Sequence, residues 1–544
     1  MRGLMMEVPL LVSSLIEHGG TVHHDQEVVS RSVEGPIHRA TWAQIRERSK
    51  RLARALGAIL GLEPFDRVAT LAWNGFRHLE LYYGISGSGR VCHVLNPRLA
   101  PDQLVHIVDH AADRALFVDL DLLPIVEPLL GRLETVRSVV VMTDRTHMPE
   151  TKLSGVHCYE ELITACPADD YRWPELDEND AAGLCYTSGT TGEPKGVLYS
   201  HRSTVLHAMT IGLSDYFDLG AGRAVLPAVP MFHVMAWGIP HAAALTGAKL
   251  VLPGPRLDGD SLFALVEQEQ IEFACGVPTV WHGLLTTMRH HGRAPVGLRR
   301  VLVGGSAPPL SMVEAFEREF GVEVRQGWGM TETSPVGCVN TPKPALRDLS
   351  EAERLRRKTW QGMPIFGVRL EVVDEEGRPV PHDGITNGRL LAQGPWVCSG
   401  YYRRENRAVR DGWLDTGDIA TMDADGCVHI VDRAKDLIKS GGEWISSIAS
   451  IAVENVAASC PGIAMAAVIA VPDERWGERP LLIAVPATGV VPDRDRVLVF
   501  LGECLPKWQV PDDVVFVDAL PIGGTGKVLK ARLRAQYRDH RRSG

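Results

Sequence analysis

Between residues 41 and 60 the chain reads TWAQIRERSKRLARALGAIL, with Trp42, Ile45, Leu52, Leu56 and Ile59 on one helical face and Arg and Lys opposite. That spacing predicts an amphipathic helix. The period then shortens. RVATLAW (67–73) is a strand-like run, GFRHLELYYGISGSG a helix and VCHVLN a further strand. The alternation continues through ALFVDL and SVVVM, then AKLVLPG, FACGVP, RRVLVGGS and VEVRQGWG. Short apolar strands alternating with helices predict βαβ units and largely parallel sheets. Past residue 365, VRLEVVDEEGRPVP and GCVHIVDRAKDLI are short strands joined by Asp/Gly turns, the pattern of antiparallel hairpins. After residue 435, AMAAVIAVPD and DDVVFVDALP carry signals of their own. That tail is long enough for a small separate domain.

At 544 residues the chain exceeds one ordinary core, so two or more domains are expected. With 45% hydrophobic and 23% charged residues it is globular in composition, and a formal charge of −10 argues against general nucleic-acid binding. Ten cysteines without any C-x-x-C pair suit neither a zinc ribbon nor a disulfide framework. The opening MRGLMMEVPLLVSSLIEHGG places Glu7 and Pro9 before its apolar run and shows no small-residue cleavage site, so it is expected as a first helix and not a signal peptide. No uncharged apolar stretch has the length of a bilayer span. The expectation is a cytoplasmic, soluble protein.

Candidate chemistry starts at YTSGTTGEPKG (186–196), directly after the apolar strand GLCY. Its spacing is not that of G-x-x-x-x-G-K-[ST], because Lys195 precedes Gly196 and Val197. Glycines let backbone N–H groups approach an anion, Thr187, Ser188, Thr190 and Thr191 add hydroxyl donors and Lys195 adds charge. A phosphate site is favoured over a surface linker. QGWGMTETSP (326–335) sets Trp328, whose face suits a nucleobase, beside Thr331 and Glu332, whose oxygens suit Mg²⁺. A helix cap is an equal alternative there. In GWLDTGDIA, Asp415 and Asp418 flank a turn, and in PIGGTGKVLKARLR, Lys527 follows a Gly-rich turn. Alone, those two stretches read as a turn and a surface lysine.

Together, YTSGTTGEPKG, GWGMTE, WLDTGD, DRAKDLIKSGGEW and GGTGKVLK occur in the order found in adenylate-forming enzymes. The chain resembles the acyl-CoA synthetases of that superfamily from the first helix to the last. PMFHVMAWG, VLPGPRLD, GVPTVW and KWQVPD resemble the bacterial medium- and long-chain fatty-acid–CoA ligases, with ligases of methylthiopropionate-like acids close by. The resemblance implies a mixed α/β fold. A large N-terminal domain of α/β layers with a distorted β-barrel subdomain (1–431) is followed by a hinge (432–437) and a small mobile α+β domain (438–544). It implies ATP and CoA as co-substrates, Mg²⁺ as cofactor, a fatty acid as substrate, no nucleic acid and a homodimer.

Residue by residue, the resemblance assigns Thr187, Ser188, Gly189, Thr190, Thr191, Gly192 and Lys195 to the ATP phosphates, and Thr187 and Glu332 to Mg²⁺. It assigns Thr331 to a phosphate, Gly305 and Ser306 to the adenine and acyl phosphate, and Gln326, Gly327 and Trp328 to the adenine. Most members carry Tyr in place of Trp328. Asp418 falls to the ribose hydroxyls, Arg433 to a further nucleotide contact, and Lys435 to the hinge. Lys439 and Trp444 lie near the nucleotide in a rotated state, and Lys527 serves adenylation. His233 and Trp237 mark the acyl-carboxylate end, Trp237 as a tunnel gate or else a core aromatic. Two departures stand out: Met235 replaces a usual Asn, and ISSIASIAVEN is a few residues longer than the family pattern around Ile448–Ile451. The basic run KVLKARLRAQYRDHRR is expected as a solvated helix face. The rival readings are a non-catalytic nucleotide-binding protein, a luciferase-like oxygenase and a carrier-loading adenylation domain.

Overall fold

The computed structural model describes every residue except 2, 152–154, 188–193, 406–408, 439, 441–447, 474–475, 488, 492, 524–527, 539 and 541–544. The first half of the chain builds a seven-stranded sheet in the order Val156–Cys158, Ser138–Met142, Asp113–Asp119, Arg67–Leu71, Val91–Val94, Ala181–Tyr186, Gly196–Ser200. Its strands run parallel except the last, which returns antiparallel to Ala181–Tyr186. A nine-stranded sheet is parallel through its centre and antiparallel at both edges, where Ile37–Thr41 pairs Glu27–Arg31 and Val336–Val339 pairs Glu323–Gly329.

Strand pleating explains the near-continuous apolar runs. Alternate side chains of Asp113–Asp119 enter different cores: Ala115 and Phe117 face the central one, Leu116 and Val118 an outer one beneath helix Pro101–Ala111. A second outer core lies between the nine-stranded sheet and helices Gly259–Glu269 and Pro278–His291. Sheets covered on both faces need apolar residues at every position, which is why the strands here do not alternate. The 41–60 pattern forms helix Trp42–Ala58, started by a capping box in which Thr41 and Gln44 satisfy each other's backbone N–H groups. Trp42, Ile45, Leu52 and Leu56 are buried on it. Ile59, expected on the same face, is the C-cap and stands exposed, because the helix ends one residue earlier.

The antiparallel texture after residue 365 becomes a five-stranded sheet, Arg369–Val373, Gly388–Gln393, Trp413–Met422 and Val409–Arg410, with Val428–Arg433 also on Trp413–Met422. A backbone bridge from Gly362 to Val428 ties it to the larger sheet's edge. The C-terminal unit is a three-stranded sheet of Ile463–Asp473, Gly477–Pro486 and Asp513–Phe516. Helices Ser450–Ser459 and Arg494–Cys504 share one core with it, and Lys530–Gln536 belongs to the other. The first helix is Val12–Val22. Among the described residues no helix is long and apolar enough to cross a membrane.

Candidate active site

In parallel sheets ligands gather beyond the carboxyl ends of the strands; Thr187, Gly305 and Ser306 follow such ends, whereas Asp418 and Arg433 pair within the antiparallel sheet. Strand Ala181–Tyr186 runs into the Thr/Gly loop, which returns as strand Gly196–Ser200 and not as a helix. The neck is closed by Thr187 N–H donating to Lys195 O at 2.9 Å and Lys195 N–H donating to Thr187 Oγ1 at 3.2 Å. Ser188, Gly189, Thr190, Thr191 and Gly192 lie outside the described residues.

Strand Glu323–Gly329 ends in a turn, Thr331–Thr333, that buries Glu332. Tyr199, on the strand leaving the Thr/Gly loop, donates its hydroxyl to Thr331 O at 2.7 Å and so joins loop root and turn. Tyr401, which the sequence motifs do not single out, completes the link. Its hydroxyl donates to Glu332 Oε1 at 2.8 Å, and the Lys195 ammonium sits 4.7 Å from its ring centre. Burial, then the neighbouring Glu332, push the Tyr401 phenol up, so it stays a donor at neutral pH. Among the described residues no cluster of three or more His, Cys, Asp or Glu could cage a metal. A hydroxyl and a single carboxylate nevertheless fit Mg²⁺, which takes few protein oxygens and completes its shell with phosphates and water.

The two aspartates of LDTGD part company. Asp415 accepts from Arg389 Nη1 at 2.8 Å and from Gly417 N–H at 3.0 Å, as a turn residue does. Asp418 is buried, accepting from Trp328 Nε1 at 3.0 Å and pairing with Arg433 Nε at 3.1 Å across two strands in register. Trp328 is buried too, and Gln326 Oε1 is buried without a hydrogen-bond partner among the described residues. An orphaned buried acceptor there fits an amino-bearing base. Gly305 and the exposed Ser306 follow strand Arg300–Val303.

Val234, Met235, Ala236, Trp237 and Gly238 all have positive φ, between 42° and 75°. Each non-glycine residue in that left-handed region costs roughly 1–2 kcal/mol. The turn throws the Trp237 indole onto Gly304, where a Cβ would stand 2.5 Å from it. Met235 presses its sulfur on Gly183, occupying space where Asn would need polar partners. Trp237 thus belongs to the central core and also abuts the strand end before Gly305 and Ser306. His233 precedes the turn and lines a small cleft with Thr187, Asn96 and Phe232.

A family model described as AMP-binding enzyme matches residues 16–402, and one described as AMP-binding enzyme C-terminal domain matches 452–527. The chain belongs to the AMP-binding enzymes. This AMP-binding enzyme is 48% identical over 540 residues to the 3-methylmercaptopropionyl-CoA ligase of Ruegeria lacuscaerulensis (99% of each chain). It is equally 48% identical over 540 residues to the medium-chain-fatty-acid–CoA ligase of Ectopseudomonas oleovorans (99% and 98%). It is 47% identical over 541 residues to the long-chain-fatty-acid–CoA ligase of Thermus thermophilus (98% and 97%). Its fold superposes on the crystal structure of the anthranilate CoA ligase AuaEII with anthranoyl-AMP at a TM-score of 0.85, 22% identity and 98% coverage of both chains.

At the junction of this AMP-binding enzyme's two parts, Lys435 stands exposed in the turn after Arg433. Ser450, in the ISSIASIAVEN stretch, starts a helix and donates both its N–H (2.5 Å) and its hydroxyl (2.6 Å) to Asp432 Oδ2. Lys530 donates to Ser450 Oγ and pairs with Glu454, both at 2.7 Å. The basic run is therefore not uniformly a solvated face. Arg532 is exposed, but Lys530 is spent on this cluster and Arg534 on Asp436 at 2.6 Å. Lys439, Trp444 and Lys527 lie outside the described residues, as do residues 441–447, the last three of which open the ISSIASIAVEN stretch.

Proposed function

We propose that this AMP-binding enzyme is an ATP-dependent acid–CoA ligase acting on fatty acids: carboxylate and ATP give acyl-AMP and pyrophosphate, and CoA then displaces AMP to give acyl-CoA. The observation that carries the reading is the linkage of a phosphate-loop neck to Glu332 through Lys195 and Tyr401, beside a Trp328–Asp418–Arg433 unit that joins the nine-stranded and five-stranded sheets. The chain bearing them is 47–48% identical over its length to CoA ligases.

A carboxylic acid is already ionised at neutral pH, so the first step needs no general base. It needs charge neutralisation at the phosphates. The Thr/Gly loop from Thr187 to Lys195 cradles them, and Lys527 adds a cation during adenylation. Thr187 and Glu332 would hold Mg²⁺, which supplies Lewis-acid neutralisation of the phosphate oxygens. Asp418 takes the ribose, Gln326, Gly327 and Trp328 the adenine, and Gly305 and Ser306 the junction of base and acyl phosphate. His233 and Trp237 border the acid, with Trp237 as the gate. The unit after residue 437 turns about Lys435 between the half-reactions, bringing Lys439 and Trp444 toward the nucleotide and opening a path for CoA. We place the enzyme in the cytoplasm as a homodimer.

The test is ATP- and CoA-dependent acyl-CoA formation across saturated acids from short to long, with 3-methylmercaptopropionate included. A maximum at medium or long chains supports the fatty-acid reading. The thioether-acid reading is equally favoured by identity, and a preference for that short acid establishes it instead. Absence of any thioester product, with or without pyrophosphate release, refutes the ligase reading.

A further inference from the structure

We propose that Trp328 is a positioning residue for the sugar of the nucleotide: its indole N–H holds Asp418 so that the carboxylate meets the ribose hydroxyls in a set orientation. This rests on the assignment of Asp418 to the ribose made under Proposed function. An aspartate carboxylate rotates easily about its last bond, since that torsion is broad. Here it receives donors on both oxygens, Trp328 Nε1 on Oδ2 at 3.0 Å and Arg433 Nε on Oδ1 at 3.1 Å. An ionised carboxylate has about four acceptor sites, more than these two donors use. Two donors on different oxygens fix the carboxylate plane and thereby aim what remains.

The two donors are not equivalent. Arg433 lies on the neighbouring strand in register with Asp418, and its side chain is 40% exposed. Trp328 arrives from the other sheet, is 9% exposed, and is the stiffer support. The pocket is cut to the indole. Gly337, on the strand beside Trp328, could carry no Cβ, because one would stand 2.6 Å from Cζ3 of the indole. A phenol at this place would offer a similar face but no ring N–H. The Trp in this chain therefore adds a second task to stacking, and the task is chemically separable from it.

The experiment uses the full-length enzyme and the adenylation half-reaction, read as ATP–pyrophosphate exchange. W328F keeps an aromatic face and removes the N–H donor. Steady-state constants are measured with ATP, 2′-deoxy-ATP and 3′-deoxy-ATP. The expected result is a KM for ATP raised about tenfold, the lower range for one hydrogen bond to a charged group. The preference for ATP over the two deoxy analogues shrinks by a similar factor. If W328F raises KM equally for all three nucleotides, Trp328 only stacks or packs, and the proposal fails while the ribose assignment stands. D418N separates the premise: it should abolish the discrimination, and discrimination left intact overturns both assignment and proposal. W328Y also lacks the indole donor and serves if W328F does not fold. Its readout is the same ratio: a shrunken preference for ATP supports the proposal, and an equal rise in KM for all three nucleotides overturns it.

Discussion

Removing the Tyr401 hydroxyl should weaken adenylation without unfolding anything. Its donor reaches Glu332 Oε1 at 2.8 Å, and its ring carries Lys195 at 4.7 Å, so one side chain braces both the carboxylate and the loop cation. A hydrogen bond to an ionised group is worth roughly 1.5–3 kcal/mol. Tyr401 is only partly buried, so the lower figure applies, about tenfold in rate. Y401F keeps the ring under Lys195 and should lose that factor alone. Y401A also loses the cation–π contact, worth about 0.5–1 kcal/mol at such a site, and should fall a further two- to fivefold. The assay is ATP–pyrophosphate exchange against Mg²⁺ concentration, beside thioester formation from supplied acyl-AMP. Exchange should fall and the Mg²⁺ requirement rise, with thioester formation near wild type. Equal losses in both half-reactions, or Y401F and Y401A behaving alike, would refute it.

K527A should cut adenylation by about 10²–10³, the usual cost of one charged donor at a transition state, while thioester formation from supplied acyl-AMP survives; equal loss of both steps sinks that role. K530M leaves Glu454 and Asp432 without their ammonium and should destabilise the C-terminal unit by about 3 kcal/mol. The double variant K530M/E454Q should recover part of the chemical-denaturation midpoint, and no recovery would show that the pair itself is not the cause. A236G relieves one left-handed alanine in the Val234–Gly238 turn and should stabilise by about 0.5–1 kcal/mol after the entropic cost of glycine; a lower melting temperature contradicts the strain. Burial depresses His78, His201, His241 and His429 to about 4 and His207 to about 3, so their stability contribution is intact above 6.5 and lost as pH falls toward 4. Burial also lifts Asp119 to about 8, which opposes them by giving the native state a proton that the unfolded chain lacks. Among the groups displaced this far, five histidines against one carboxyl leave a net fall below pH 6.5, each proton difference contributing up to about 1.4 kcal/mol per pH unit. A urea midpoint unchanged between pH 7.5 and 5 would exclude it.

The amino-acid sequence alone determined the local features. The apolar runs specified strands buried on both faces, Thr41 with Gln44 specified a helix start, and the Thr/Gly stretch after GLCY specified a strand-end loop. These signals act over a few residues, so spacing and side-chain chemistry suffice to read them. Which aspartate of LDTGD is buried against Trp328 was a matter for the sheet. Asp415 and Asp418 are three positions apart, an odd spacing that sends them to opposite faces of a strand, and only the pairing of Asp418 with Arg433 says which face looks inward. Tyr401 and Glu332, Trp328 and Asp418, and Lys530 and Ser450 are 69, 90 and 80 residues apart. No periodicity links such pairs, because strand order and register bring them within hydrogen-bond reach. The basic C-terminal run looked solvated for the same reason: Lys530 finds its buried acceptors only once the Ser450–Ser459 helix packs against it.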